Sequence, residues 1–165
     1  MNETMKVVKV GIADMNIVKP PYTIRTAGLG SCVGVVLYEP MKHVAGMVHI
    51  MLPDSALAKE GVLNLAKYAD TGIRELVRKL EREGLRCSLM KAKIAGGAQM
   101  FQFSSGSDFM RIGPRNEEAV KRTLQELHIE LVAADCGGSN GRTIEFDSVT
   151  KILSIRTVNK GVLEL

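Results

Sequence analysis

A cysteine and a histidine are the two side chains of this sequence best suited to covalent chemistry. Cys32 ends a segment with two glycines, residues 26–32, and His49 lies in the second of the two apolar segments that follow. A thiol becomes a strong nucleophile when a neighbouring base or positive charge removes its proton. If the two apolar segments pair as a β-hairpin, the imidazole of His49 returns to the side of Cys32. The pattern predicts a Cys32 thiolate nucleophile with His49 as its base.

Two further groups could assist this pair. Gly28 and Gly30 allow positive φ before Cys32, so the loop can turn N–H groups near Gly30 and Ser31 toward a developing oxyanion. Thr26 carries a hydroxyl that could hold the imidazole in its useful tautomer. The sequence thus offers Gly30 and Ser31 as oxyanion candidates and Thr26 as a third catalytic residue.

The same residues also have purely structural explanations. Cys32 could be a small core residue, and His49 a strand histidine with its hydrogen bonds satisfied. Thr26 could be a turn or strand-edge hydroxyl. Composition and spacing leave both interpretations open.

The elements that position these residues follow from the hydrophobic pattern. Alternating or β-branched segments predict strands, and apolar residues at three- and four-residue steps predict two amphipathic helices. The predicted strands cover residues 6–12, 33–38, 44–51, 89–95, 129–134, 143–146 and 152–158. One helix ends at Glu83 and begins at Asn64 or near Asp70, and the other begins at an N-cap, Asn116. This order predicts a single-domain α+β sandwich over residues 1–165, with mostly antiparallel or mixed sheet and two main helices.

Composition argues against several classes of protein. The 22 basic and 18 acidic residues give a net charge of +4 without a block of like charges, and there is no Trp, so nucleic-acid binding is not implied. Three cysteines without a CxxC pair argue against a disulfide framework and a zinc site. Apolar stretches are far shorter than the ~20 residues of a membrane span, and no secretory signal is recognised. We expect a cytoplasmic protein that is not inserted in a membrane.

Six segments, in chain order, resemble the chemoreceptor glutamine deamidase family CheD. They are TAGLGSCVGV, AGMVHIMLPDS, KYADTGI, AKIAGGAQMF, IGPRNEEAV and GGSNGRTIEFD. The resemblance extends from Gly11 to about Thr157, and the GLGSC and VHIMLPDS blocks are its most specific parts. The catalytic cysteine, histidine and threonine of the family fall on Cys32, His49 and Thr26.

The resemblance implies an activity, partners and a fold. The activity is the conversion of chemoreceptor glutamine side chains to glutamate with release of ammonia, without a metal or organic cofactor. The partners are the cytoplasmic helical domains of chemoreceptors, as substrate, and the chemotaxis phosphatase CheC, with the chain monomeric or in a heterodimer with CheC. The fold would resemble the deamidase domain of cytotoxic necrotising factor toxins.

Alternatives to this activity remain at this point. The chain could be mainly a non-catalytic adaptor that binds and stimulates CheC, with residues 99–103 (QMFQF) as a candidate surface. A thioester at Cys32 could also be attacked by an amine, which is transglutaminase activity. Asp54 and Ser55 could line the site entrance or form a simple turn, and Asn140 and Arg142 could shape the same entrance or cap a hairpin. His43 and His128 are expected to be structural, and Cys87 and Cys136 are expected to be buried bystanders.

Overall fold

Two β-sheets and a pair of helices make up the part of the chain that a computed structural model describes, which is residues 6–59, 61, 63–100 and 111–165. The strands are β1 (Val7–Val10), β2 (Met15–Val18), β3 (Thr23–Leu29), β4 (Val33–Tyr38), β5 (Ala45–Ile50), β6 (Lys91–Gly96), β7 (Glu130–Cys136), β8 (Arg142–Asp147), β9 (Leu153–Thr157) and β10 (Gly161–Glu164). The helices are α1 (Ala69–Arg82) and α2 (Ile112–Glu126).

Each sheet has five strands and mixed direction. The first sheet has the order β1-β3-β8-β9-β10, and the second has the order β2-β5-β4-β6-β7. The pairs β1–β3 and β6–β7 are parallel, and the other neighbours are antiparallel. The predicted α+β fold with mixed sheet and two main helices is confirmed.

The second sheet is the middle layer of the fold, so its central strands are apolar on both faces. Every residue of β4 and β5 is buried. One face packs against the first sheet and the other packs against α1 and α2. Buried residues between the sheets, the sheet–sheet core, include Val10, Ile24, Leu29, Val36, Tyr38, Met47, Ile144, Phe146 and Ile155. Those on the helix side include Val33, Val35, Leu37, Val48, Ile50, Ile73, Leu76, Leu80, Val120 and Leu124.

The predicted hairpin of the two apolar segments is confirmed as β4 and β5. They pair antiparallel, with Gly34 opposite His49 and Val36 opposite Met47. Because successive side chains of a strand point to opposite faces, the helix-side core receives Val48 and the sheet–sheet face receives His49.

Three strand predictions were wrong or incomplete. The prediction of residues 26–32 as a loop was wrong for residues 26–29, because β3 continues to Leu29 and pairs with β8 across a register shift between Thr26 and Leu29. The short strands β2 and β10 were not predicted. Each has only four residues, and β10 is exposed throughout, so neither has a long alternating pattern.

The helix ends also differ from the predictions at the N-terminal side. α1 begins at Ala69, after a separate 3₁₀ turn at Leu65–Lys67, and its predicted end is confirmed by Gly84 at a φ of 94°. The predicted N-cap at Asn116 was wrong, because α2 begins at Ile112. Pro114 is tolerated in a first helical turn, so the Gly113-Pro114 pair does not stop this helix. Asn116 therefore lies inside the helix, where it is buried.

Candidate active site

A hydrogen bond between the two sheets fixes the tautomer of His49. The hydroxyl of Thr26 donates to the carbonyl oxygen of Val10 at 2.7 Å and lies 2.7 Å from His49 Nδ1. A threonine hydroxyl has one proton, and the Val10 carbonyl can only accept. The proton of the second bond therefore belongs to Nδ1, which donates to Thr26 Oγ1. Nε2 is left unprotonated, as a general base requires.

The position of Gly34 makes room for this contact. It is the residue of β4 directly opposite His49, so the two would share one face of the second sheet. A Cβ built on Gly34 would lie 2.6 Å from Ile144 Cδ1, 3.2 Å from Leu29 Cδ1 and 3.6 Å from Thr26 Cγ2. Side chains of the first sheet thus occupy the space that a side chain at position 34 would need. This close approach brings Thr26 to the imidazole.

Cys32 lies on the same face as His49, immediately before β4. Its side chain is half-buried and packs against the sheet–sheet core. Since Gly34 is opposite His49, Cys32 is the diagonal neighbour of the histidine, a relation in which long side chains can reach each other. Nε2 of His49 is buried and has no hydrogen-bond partner among the described residues, so the thiol does not bond to it in this state.

Burial shifts the pKa values of both groups toward their neutral forms. It raises the pKa of the Cys32 thiol above its usual value, an effect that the backbone N–H of Cys32 partly offsets. It lowers the pKa of His49 from 6.5 to about 4. At neutral pH the resting pair is therefore a thiol and an uncharged imidazole. The thiolate predicted for Cys32 would therefore form by proton transfer to His49, because desolvation disfavours the ionised thiol in the resting site.

A neighbouring backbone segment holds the loop that carries Cys32. The N–H of Gly97 donates to the Cys32 carbonyl at 2.8 Å, and that of Ala98 donates to the Gly30 carbonyl at 2.9 Å. Gly96 has a φ of 120°, and a Cβ there would lie 2.2 Å from the Cys32 carbonyl oxygen. Only glycine permits this approach.

The two oxyanion candidates differ in this loop. The N–H of Gly30 already donates to the Gly28 carbonyl at 3.1 Å, so an oxyanion role for Gly30 would require that bond to break. A Cβ on Gly30 would also lie 3.2 Å from Cγ of Met100, whose side chain covers this glycine. The role of Ser31 stays a prediction.

Comparison with known proteins identifies the family of this chain. Residues 51–157 match the family model described as CheD chemotactic sensory transduction. A chemoreceptor glutamine deamidase CheD of Halalkalibacterium halodurans is 65% identical over 159 residues, which cover 96% of this chain and 98% of the relative. The chemoreceptor glutamine deamidase CheD of Bacillus subtilis is 54% identical, with 94% of this chain and 93% of the relative covered. The chain belongs to the CheD family.

The extent of these matches bears on the candidate residues. The matched family region begins at Met51, after Thr26, Cys32 and His49. The similarity to the CheD relative from H. halodurans covers nearly the whole chain and so includes the segment that contains these three residues. Their catalytic roles stay predictions.

A solved structure has a related arrangement of elements. The hypothetical protein YfiH of Bacillus licheniformis matches with a TM-score of 0.49 and 15% identity, over 76% of this chain and 51% of that protein. The expected similarity of this CheD-family chain to the cytotoxic necrotising factor deamidase domain stays a prediction.

Two buried polar residues near the site were not recognised as such from the sequence. Asn116 donates from Nδ2 to the carbonyls of Ser31 and Met51, at 3.0 Å each. The contact was missed because Asn116 was predicted to be an N-cap. The sequence signal that could have predicted it is a polar residue on the buried stripe of α2.

Arg142 is the second of these residues, and the sequence left its role open. Its guanidinium group donates to the carboxylate of Asp135 at 3.2 Å and to the carbonyls of Gly96 and Gly137 at 3.3 and 2.9 Å. It therefore joins the glycine segment beside Cys32 to the loop before β8. Asn140 in that loop is half-buried, and its role stays a prediction.

Other candidates have local structural roles. Asp54 accepts a hydrogen bond from the N–H of Ala56, as expected for a turn residue, and Ser55 donates from both N and Oγ to the carboxylate of Asp70. The remaining histidines and cysteines were expected to be structural. His43 and His128 are exposed, and Cys87 and Cys136 are half-buried rather than fully buried.

The described residues contain no cluster of three or more His, Cys, Asp or Glu side chains that could hold a metal ion. Within the same residues, no helix has the length and apolar character to cross a membrane. Most of the candidate adaptor surface at 99–103 lies outside the described residues, and Met100 within it is 44% exposed.

Proposed function

We propose that this chain is a protein-glutamine deamidase that converts specific glutamine side chains of chemoreceptors to glutamate. The observation that carries the proposal is the Thr26–His49 hydrogen bond, because it leaves the Nε2 lone pair free on the face where Cys32 lies. The names of the relatives supply the substrate, since those from H. halodurans and B. subtilis are called chemoreceptor glutamine deamidases. The proposed site of action is the cytoplasm, where the helical domains of chemoreceptors lie.

The first step forms a covalent bond to the substrate. Nε2 of His49 takes the thiol proton of Cys32 as Sγ attacks the carbon of the glutamine side-chain amide. The carbon–sulfur bond forms, and an electron pair of the carbonyl moves to its oxygen. Backbone N–H groups of Ser31 and Cys32 are the candidates to stabilise this oxyanion.

The second step releases ammonia. The imidazolium gives its proton to the amide nitrogen, the carbon–nitrogen bond breaks and a thioester remains. A His49 pKa of about 4 suits this proton transfer, because a buried imidazolium is an acidic donor. The hydrogen bond to Thr26 keeps the ring oriented while its charge changes.

The third step restores the enzyme. Water attacks the thioester carbon, and Nε2 of His49 accepts the proton of the water as the bond forms. The carbon–sulfur bond then breaks, the proton returns to Cys32 and the product is a glutamate side chain. The chain's own residues supply all proton transfers in this scheme.

The proposal is tested by ammonia release from a purified cytoplasmic receptor fragment. Wild-type protein is expected to release ammonia in proportion to the glutamate formed, and Cys32→Ala protein is expected to release none above background. Cys87→Ala is the matched control, because Cys87 is also half-buried and its thiol bonds instead to the Leu127 carbonyl. Undiminished release by Cys32→Ala would exclude the mechanism. A primary amine added to the wild-type reaction tests for transfer in place of hydrolysis.

We also propose that the chain binds CheC, as a monomer that forms a heterodimer. Met100 supports a surface near the site, because it is 44% exposed and its side chain covers Gly30, two residues before Cys32. A partner that contacts Met100 would then restrict access to the nucleophile. Cys32→Ala protein is expected to bind purified CheC with unchanged affinity in a titration, while Met100→Glu weakens binding. Unchanged binding by Met100→Glu would rule out this surface.

A further inference from the structure

Asn116 is a buried polar residue that contacts both parts of the candidate active site. It is fully buried and lies in the first half of α2. Its Nδ2 donates to the carbonyl oxygens of Ser31 and Met51, at 3.0 Å each. Ser31 immediately precedes Cys32, and Met51 is two residues after His49. A single side-chain amide thus joins the nucleophile loop to the strand that carries the base.

The amide nitrogen of Asn116 supplies the two donors used at this position, while Oδ1 is buried without a hydrogen-bond partner among the described residues. The NH₂ of asparagine supplies two donors from one nitrogen, and both are used here. Aspartate has nearly the same shape but has no donor when ionised, and its charge would face two carbonyl oxygens. Loss of the amide would leave two carbonyls without this partner in a buried place.

The helix that carries Asn116 is itself held against the nucleophile loop. Gly113 lies one turn earlier, and a Cβ there would lie 2.1 Å from the Ala98 carbonyl oxygen. The N–H groups of Gly97 and Ala98 donate to the carbonyls of Cys32 and Gly30. The first turn of α2 therefore packs against the same backbone segment that holds Cys32. This contact fixes the position of Asn116 relative to the loop.

We propose that Asn116 is a positioning residue that sets the distance between the Cys32 thiol and Nε2 of His49. The proposal rests on the proposed function for its effect on catalysis, but the geometric link does not depend on the substrate. Two separate chain segments carry the thiol and the imidazole, and Asn116 bonds to a carbonyl of each. Nε2 has no partner among the described residues, so the position of the loop relative to β5 decides whether the thiol reaches it.

The variant that tests this is Asn116→Asp, which removes both donors at nearly constant shape. We expect kcat for deamidation of a receptor fragment to fall about 10- to 100-fold with little change in KM, because misplacement affects the chemical step. The matched control is Thr123→Val, on the same buried helix stripe, whose hydroxyl donates to the Ala119 carbonyl within α2. It is expected to affect stability without lowering kcat.

A double-mutant cycle separates positioning from a merely structural role. The measured quantity is the rate of Cys32 alkylation by iodoacetamide in folded protein. In the wild-type background, His49→Gln is expected to slow alkylation, and in the Asn116→Asp background it is expected to have little further effect. Equal effects of His49→Gln in both backgrounds would overturn the proposal, as would an unchanged kcat in Asn116→Asp protein.

Two further outcomes are distinguishable. If wild-type protein deamidates no receptor fragment but the alkylation rates still show the coupling, the proposed function fails and the positioning role stands. If Asn116→Asp does not fold, NMR of the wild-type protein replaces it. Alkylation of Cys32 is then expected to shift the side-chain amide signals of Asn116 more than those of Asn64, whose amide donates to the Ala13 carbonyl and not to the loop that carries Cys32. Equal shifts would overturn the proposal.

Discussion

At the scale of single residues, the hydroxyl of Thr26 decides which nitrogen of His49 carries the proton. The hydroxyl donates to Val10 and must therefore accept from Nδ1. Neither the spacing of these residues nor their types predicts this direction, because it depends on a carbonyl from another strand. The sequence and the family resemblance predicted the partner of His49, whereas the structure adds the tautomer.

Replacement of Thr26 by valine is expected to lower activity while the fold is kept. Valine matches the shape of threonine but can neither accept from Nδ1 nor donate to Val10. We expect the deamidation rate to fall roughly 10- to 100-fold, less than the 10²–10⁴-fold that proton transfer itself contributes. Thr23→Val in the same strand is the matched control, because the hydroxyl of Thr23 donates to Glu145 instead. Equal rates for Thr26→Val and wild type would show that the hydroxyl does not orient His49.

The low pKa of His49 predicts a specific loss of stability in acid. The pKa is 6.5 in the unfolded chain and about 4 in the folded protein, so the unfolded state binds more protons between these values. The contribution of His49 to the free energy of unfolding is therefore fully present above pH 6.5, and it is lost as the pH drops toward 4. The shift corresponds to a loss of about 3 kcal/mol.

This loss is measured as a difference between two proteins. Urea unfolding of wild type and His49→Gln at pH 7 and pH 5 is expected to show a steeper fall for wild type. His43→Gln is the control, since His43 is exposed. Parallel falls for wild type and His49→Gln would mean that His49 is not buried in its neutral form.

At the scale of elements, the β4–β5 hairpin and its contact with the first sheet build the site. The hairpin was predictable because both strands are apolar and a short proline-containing connection joins them. The strand through Thr26 was not, because Ala27 and Gly28 have low strand propensity and lie at a register shift. The strand continues past them because Thr26 and Leu29 on either side pair with the distant β8. The start of α2 was misplaced for a similar reason, since Gly113 is favoured by a tertiary contact with Ala98.

Gly34→Ala is expected to disturb the contact between the sheets. The added Cβ would lie 2.6 Å from Ile144 Cδ1, so Ile144 or the strand must move. We expect a loss of about 1–3 kcal/mol in the free energy of unfolding, as for other overpacked cores. Activity is expected to fall as well, because the added Cβ would also lie 3.6 Å from Cγ2 of Thr26. In Gly11→Ala the new Cβ has nothing within 4 Å, so stability should change little.

Denaturant unfolding and the deamidation assay check this pair of variants. Loss of stability and activity in Gly34→Ala, with neither in Gly11→Ala, is the expected result. If Gly34→Ala equals wild type in both, the close packing at this position does not position Thr26.

At the scale of the whole molecule, the second sheet joins the chemistry to the core. Its helix-side face packs against both helices, while the face toward the first sheet carries His49 and receives the half-buried Cys32. Composition and hydrophobic pattern were enough to predict an α+β fold with two helices. They could not predict the order of strands in each sheet. The reason is that β3 pairs with β8, and β8 with β9, and both β8 and β9 are far from β3 in the sequence. The contacts of Asn116 were not predicted for the same reason, since its two partners, Ser31 and Met51, are far from it in the sequence.

The proposed chemistry depends on one event, in which the imidazole of His49 accepts the thiol proton of Cys32. Mass spectrometry of a receptor fragment, mapped to individual glutamines over time, measures this most directly. We expect site-specific glutamate formation by wild type, none by Cys32→Ala, and a rate about 10²–10⁴-fold lower for His49→Gln. Formation of the same glutamates at the wild-type rate by either variant would show that this proton transfer does not drive the reaction.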